Sequence, residues 1–162
     1  SLGTSAVFVT HNKDEVFSFA DKMAVMQQGQ ILQMGTPAYL CQQPNSWQVA
    51  DFLQLGSWLP FKQQDNKLET ALMTQIFPTQ WPSGKILIKP KYIQLSNEEK
   101  VQANAEIENV SVTEQGFHYL VRSLTTDPTL SFDRFSFYHE TLLSLGQQIT
   151  LKIEPHDYLC FQ

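Results

Sequence analysis

The sequence predicts an α+β protein in two parts, a short α/β segment over residues 1–54 and a small all-β barrel over residues 55–162. Three observations predict it. The continuous apolar run Ala6-Val7-Phe8-Val9 suits a strand buried on both faces, and helical spacing follows it. Past residue 100 the apolar residues alternate with polar ones, which is the rhythm of half-buried strands. Gly56 and Pro60 break the helical pattern between these regimes and mark the boundary.

Asn12 followed by Glu15 forms a capping-box pattern, with Asp14 and Glu15 in the first turn of a helix and Lys22 in its last. Val16, Phe17, Ala20 and Met23 share one face of that helix. Two runs, 23–26 and 31–34, flank Gln27-Gln28-Gly29-Gln30, where glycine supplies the positive φ of a hairpin turn. Thr36-Pro37 reads as an N-cap with proline at the first helical position, and Pro44 stops that helix near Gln43. Ser46 caps a second short helix carrying Trp47, Val49, Ala50, Phe52 and Leu53.

In the second part, Val101, Ala103, Ala105 and Ile107 alternate and then slip by one to Val110 and Val112. Leu130 and Phe132 slip in the same way to Phe135 and Phe137. Such slips are what β-bulges produce, and bulges bend strands around barrels. Phe117-Tyr119-Val121 and Ile149-Leu151-Ile153 are two more alternating strands, with shorter candidates at Ile86-Ile88 and Tyr158-Cys160.

A net charge of −5 argues against a nucleic-acid partner, which favours a basic face. Neither part is polycationic: two basic and four acidic residues precede position 55, and nine and twelve follow. Cys41 and Cys160 are far apart and read as reduced thiols. No apolar run approaches the ~20 residues of a membrane-spanning helix. A soluble, cytoplasmic location is expected.

The segment Val9-Thr10-His11-Asn12-Lys13-Asp14-Glu15, running on through Ala20-Asp21-Lys22-Met23 to Gly29-Gln30-Ile31, resembles the H-loop region of ABC transporter ATP-hydrolysing subunits. Gly35-Thr36-Pro37, Tyr39-Leu40, Pro44-Asn45 and Val49-Ala50-Asp51-Phe52 follow in the order seen in importer ATPases. Ile88-Lys89-Pro90-Lys91-Tyr92-Ile93 looks like the opening of their C-terminal regulatory region. The resemblance implies the C-terminal piece of a RecA-like nucleotide-binding domain, from the H-loop onward, followed by an OB-like, TOBE-type regulatory barrel. It implies ATP and Mg as the parent's cofactors, with none expected for this chain alone. It also implies a homodimer of ATPase subunits and transmembrane permease partners on the inner face of the plasma membrane. Ferric iron is the first expectation for the cargo, with sulfate, molybdate, polyamine and sugar open. Asn12 stands where the family usually has Asp, and Lys91 where an acidic residue is often found.

By the same resemblance His11 is the catalytic switch that contacts the γ-phosphate and orients the attacking water, in the intact subunit only. The chemistry suits imidazole, which donates a hydrogen bond without carrying a fixed full charge. A phosphate loop, G-x-x-x-x-G-K-[ST], does not occur: the only Gly-Lys pair is Gly84-Lys85, followed by Ile86. The chain alone is therefore expected not to hydrolyse ATP. Stripped of sheet neighbours, residues 6–9 are expected to drive association at least to a dimer, through residues 5–35.

His118, His139 and His156 are scattered, without a second ligand at metal spacing, and no metal site is expected. Phe117, Tyr119, Phe132, Phe135 and Phe137 suit either core packing or the base-stacking platform of an oligonucleotide-binding barrel; their phase and the sparse arginines, Arg122 and Arg134, favour the core. A stand-alone barrel sensing an oxyanion or metal is the other alternative. Glu98-Glu99 and Glu106/Glu108 read as solvated faces.

Overall fold

Local capping chemistry sets the elements of the first unit. The computed structural model describes residues 3–77, 79–155 and 158–162, and divides into Ser1–Leu55 and Gly56–Gln162. Asn12, at φ −100 and ψ 106, accepts from the Asp14 N–H and opens α1, Lys13–Phe19. Glu15 does not close the expected capping box: its carboxylate is taken by the Thr10 hydroxyl. The helix also ends before Lys22, and none of its residues is buried; Phe17, expected on an inward face, is 40% exposed.

β1 (Met23–Gln27) and β2 (Gln30–Gly35) form the expected antiparallel hairpin. Gln28 at φ 51 and Gly29 at φ 75 both turn left-handed, as a two-residue type I′ loop requires. Thr36 caps α2 (Pro37–Gln42) by accepting from Tyr39 N, and Ser46 caps α3 (Trp47–Phe52) by accepting from Val49 N. Buried Gln33 joins these pieces. Its amide donates to Gln43 O and accepts from Asn45 N, each at 2.9 Å. A small core of Met23, Val25, Leu40, Val49 and Leu53 results.

The run at residues 6–9 departs from expectation. It lies outside any strand, with Val7, Phe8 and Val9 exposed to 96, 61 and 89%. Among the described residues no strand lies alongside to accept its backbone groups.

Among its described residues the second unit has eleven strands. They are β3 (Ser57–Gln64), β4 (Lys67–Glu69), β5 (Thr74–Ile76), β6 (Ser83–Ile88), β7 (Ile93–Leu95) and β8 (Ala105–Thr113), then β9 (Gly116–Ser123), β10 (Phe135–His139), β11 (Gln148–Ile149), β12 (Leu151–Ile153) and β13 (Leu159–Phe161). They pair antiparallel in three sheets, ordered β13-β6-β3-β4-β5, β10-β9-β8-β11 and β12-β7. By residue the structure is 41% strand and 14% helix, so the protein is mostly β. Among the described residues, eighteen buried ones from all three sheets and the loops between them form one core, including Phe61, Ile86, Ile107, Tyr119, Phe137 and Leu151.

Several strand expectations need correction. Pro60 does not end the pattern but sits inside β3, opposite Lys85 of β6. It is tolerated because β4 begins to pair only at Lys62, leaving one flank of β3 open at the proline. The slip in β8 is a bulge, with Ile107 and Asn109 opposite consecutive residues Val121 and Leu120. The second slip is not a bulge. Leu130 and Phe132 lie in a loop, and Arg134 at φ 57 turns the chain into β10. The 149–153 run is two strands rather than one: β11 pairs with β8 and β12 with β7. The Asn104 side chain holds that corner, donating to Leu151 O and accepting from Leu151 N.

Candidate functional site around His11

The chain turns sharply into α1, and His11 occupies the turn. Thr10 and Asn12 bracket it: the Asn12 N–H donates to the Thr10 hydroxyl at 2.9 Å. The same hydroxyl donates to Glu15 Oε2 at 2.8 Å. On the far side, Lys13 Nζ donates to Leu53 O at 2.9 Å, which ties the first turn of α1 to the end of α3.

That end has its own local logic. Leu53 caps α3, Gln54 N donates to Asp51 O and Leu55 N donates to Ala50 O, the paired bonds of a Schellman motif. Gln54 takes the left-handed position at φ 52, where glycine is the usual occupant. Residues 10–15, Phe52 and Gln54 together line an open depression of about 440 Å³. His11 is exposed on it. The turn thus presents one imidazole to solvent, with the Asp14 and Glu15 carboxylates beside it.

Other residues singled out by the sequence fall elsewhere. His118 lies between two hydroxyls, with Nε2 2.9 Å from Ser136 Oγ and Nδ1 3.5 Å from Ser111 Oγ. His139 Nδ1 accepts from Thr141 N at 3.1 Å. His156 lies outside the described residues. Among the described residues no three His, Cys, Asp or Glu side chains are placed to hold a metal. The residues around His11 therefore do not by themselves form a magnesium site.

Tyr119, Phe132, Phe135 and Phe137 are buried core residues, and Phe117 is partly buried against them. Tyr119 stacks on Phe137 at 5.1 Å and Phe132 packs tilted against Phe135 at 5.1 Å, and burial leaves those four unavailable to bases. Gly84-Lys85 sits within β6. A Cβ on Gly84 would approach Phe161 O to 2.0 Å, so this glycine serves close strand approach. Glu98 pairs with Lys152, and Arg122 bridges Glu106 at 2.9 Å and Glu108 at 3.7 Å. Lys91 covers the Tyr92 ring, 4.9 Å from its centroid. Neither cysteine forms a disulfide, and burial pushes the Cys160 thiol up to about 11.

Sequence reasoning gave no role to Thr10, Lys13 or Gln54. Only Thr10 carried a local signal, a hydroxyl residue two positions before a helix N-cap.

The proteins similar to this chain are ATP-binding subunits of ABC importers, matched over their C-terminal part, and the chain is their homologue. It is 38% identical to the Fe(3+) ions import ATP-binding protein FbpC of Haemophilus influenzae over 98 residues, covering 57% of this chain and 28% of that protein. It is 30% identical over 127 residues to the FbpC of Pseudomonas fluorescens, covering 77% of this chain and 35% of that protein. The sulfate/thiosulfate import ATP-binding protein CysA of Vibrio cholerae is 32% identical over 125 residues, 71% of this chain and 31% of the relative. The ferric-iron group is thus one of several. The chain spans about three-tenths of the length of the curated relatives it matches. No protein-family model matches the chain. No helix among the described residues is long and apolar enough to cross a membrane.

Proposed function

We propose that this chain is the C-terminal part of an ABC importer ATP-binding subunit. In this reading the unit up to Leu55 completes a RecA-like nucleotide-binding domain, and Gly56–Gln162 is a TOBE-type regulatory β domain. The observation that carries it is the Pseudomonas fluorescens match: 77% of the chain is more than either unit holds, so the similarity crosses from one into the other. The exposed run Val7, Phe8 and Val9 accords with a larger domain that covers it.

His11 then acts as the switch. Exposed at the head of α1, it donates to the γ-phosphate and orients the attacking water, where charge develops during phosphoryl transfer. The rest of the polypeptide supplies the phosphate loop and the carboxylates that hold ATP and Mg. The subunit works as a homodimer docked on permease subunits at the cytoplasmic face of the membrane. Ferric iron is the cargo this reading favours, because FbpC proteins are among the relatives.

The test uses the full-length protein. His11→Ala is expected to cut ATP turnover on the order of 100-fold while ATP affinity stays within about twofold, since the contact strengthens only in the transition state. Equal loss of affinity and turnover, or no loss, would contradict the role.

A further inference from the structure

We propose that Thr10 and Glu15 are positioning residues for His11, with the Glu15 carboxylate fixing the rotor of the Thr10 hydroxyl so that this hydroxyl clamps the peptide on both sides of the histidine. The proposal rests on the reading of His11 as the phosphate-contacting residue.

A hydroxyl has one proton and two lone pairs. Here the proton is committed to Glu15 Oε2 at 2.8 Å, and a lone pair receives Asn12 N–H at 2.9 Å. Those two bonds close a short ring around the His11 backbone. Without Glu15 the hydroxyl is free to rotate, and the bond that holds Asn12 N weakens with it. The bond to Glu15 is charge-assisted, of the stronger class. Glu15 itself sits in the first turn of α1, where a negative charge is favoured. Asn12 adds a second restraint by accepting from Asp14 N at 3.0 Å, and Lys13 a third through Leu53 O. Burial does not supply this order, because no α1 residue is buried and His11 is exposed. Polar contacts alone hold the backbone that carries the imidazole, and the two that flank His11 share the Thr10 hydroxyl.

Misaiming a transition-state donor lowers kcat more than it alters ground-state binding. In the full-length protein, Thr10→Val and Glu15→Ala are expected to reduce kcat roughly tenfold with the KM for ATP nearly unchanged. Thr10→Ser retains the hydroxyl and is expected to restore kcat to within about twofold of the parent. Glu15→Gln still offers an acceptor oxygen and is expected to fall between. His11→Ala, measured in parallel, separates the two ideas. If it abolishes turnover while Thr10→Val and Glu15→Ala keep parental kcat, the positioning role is wrong and the His11 reading stands. If kcat and KM worsen together without rescue by Thr10→Ser, the pair is merely structural and the proposal fails. If His11→Ala keeps full turnover, the switch reading itself fails and takes this one with it.

Discussion

The two units hold their structure by different means. Gly56–Gln162 encloses eighteen buried residues in one core fed by three sheets, whereas the unit ending at Leu55 gathers five. In the larger unit Phe61, Tyr119, Phe135 and Phe137 are fully buried; in the smaller one Phe8, Phe17 and Phe19 stand 61, 40 and 62% exposed. Order around His11 comes from capping side chains and from Lys13 on Leu53 O, not from burial. Burial of apolar area is the main stabilising term in folding, so the larger unit is expected to be the more stable of the two. A turn held by a few polar bonds is also easy to perturb by single substitutions.

The largest effect that tests this contrast lies in the larger core. Phe137 is fully buried and stacked on Tyr119, so Phe137→Ala is expected to destabilise that unit by about 3–5 kcal/mol. Chemical denaturation followed by tryptophan fluorescence reads it; a loss under about 1 kcal/mol would mean the core is not the source of stability.

A smaller effect of opposite sign sharpens the picture of the first unit. Gln54 holds the left-handed Schellman position at φ 52, which costs a residue with a Cβ about 1–2 kcal/mol. Glycine gives part of that back as unfolded-chain entropy. Gln54→Gly is therefore expected to stabilise α3 by up to about 1 kcal/mol, seen as slower amide exchange at Leu53 and Leu55. Faster exchange there would show that Gln54 is held by something other than the turn.

The smallest effect is electrostatic. The hydrogen bond from Lys62, then those from Thr129, hold the Asp127 carboxyl down to about 2 from its ordinary 3.8. A folded value below the unfolded one stabilises above pH 3.8 and is lost as pH falls from there through about 2. Carboxyl NMR titration of Asp127 is expected to give a midpoint near that lower value. Asp127→Asn should remove this share of the acid sensitivity, and a midpoint near 3.8 would show the pair does not persist in solution.

What the sequence made legible was chemistry confined to a few neighbouring residues. Asn12, Thr36 and Ser46 cap helices because their side chains reach the N–H groups two or three residues on. The hairpin at Gln28-Gly29 was legible from its glycine. The hairpin joining β3 and β4 was not. It turns on Asp65 and Asn66, both left-handed at φ 52 and 61 without any glycine, and Pro60 masked the strand before it. Residues 6–9 misled because an apolar run specifies burial but not the partner that supplies it. At the candidate site, the surrounding residues singled out His11, whereas the contact between Thr10 and Glu15 depends on where two side chains meet. Spacing alone assigned Glu15 to a capping box, but the Thr10 hydroxyl reaches it first.

The contrast between the units is tested most directly by hydrogen–deuterium exchange along the whole chain. Amides of β9, such as Tyr119 and Val121, pair on both sides within the large core and are expected to exchange only on unfolding of that unit. Amides of α1 and of residues 3–10 are expected to exchange close to the rate of an unprotected chain. Protection in α1 equal to that in β9 would contradict the account, because it would mean that burial, and not the polar contacts of Thr10, Asn12 and Lys13, holds the His11 turn.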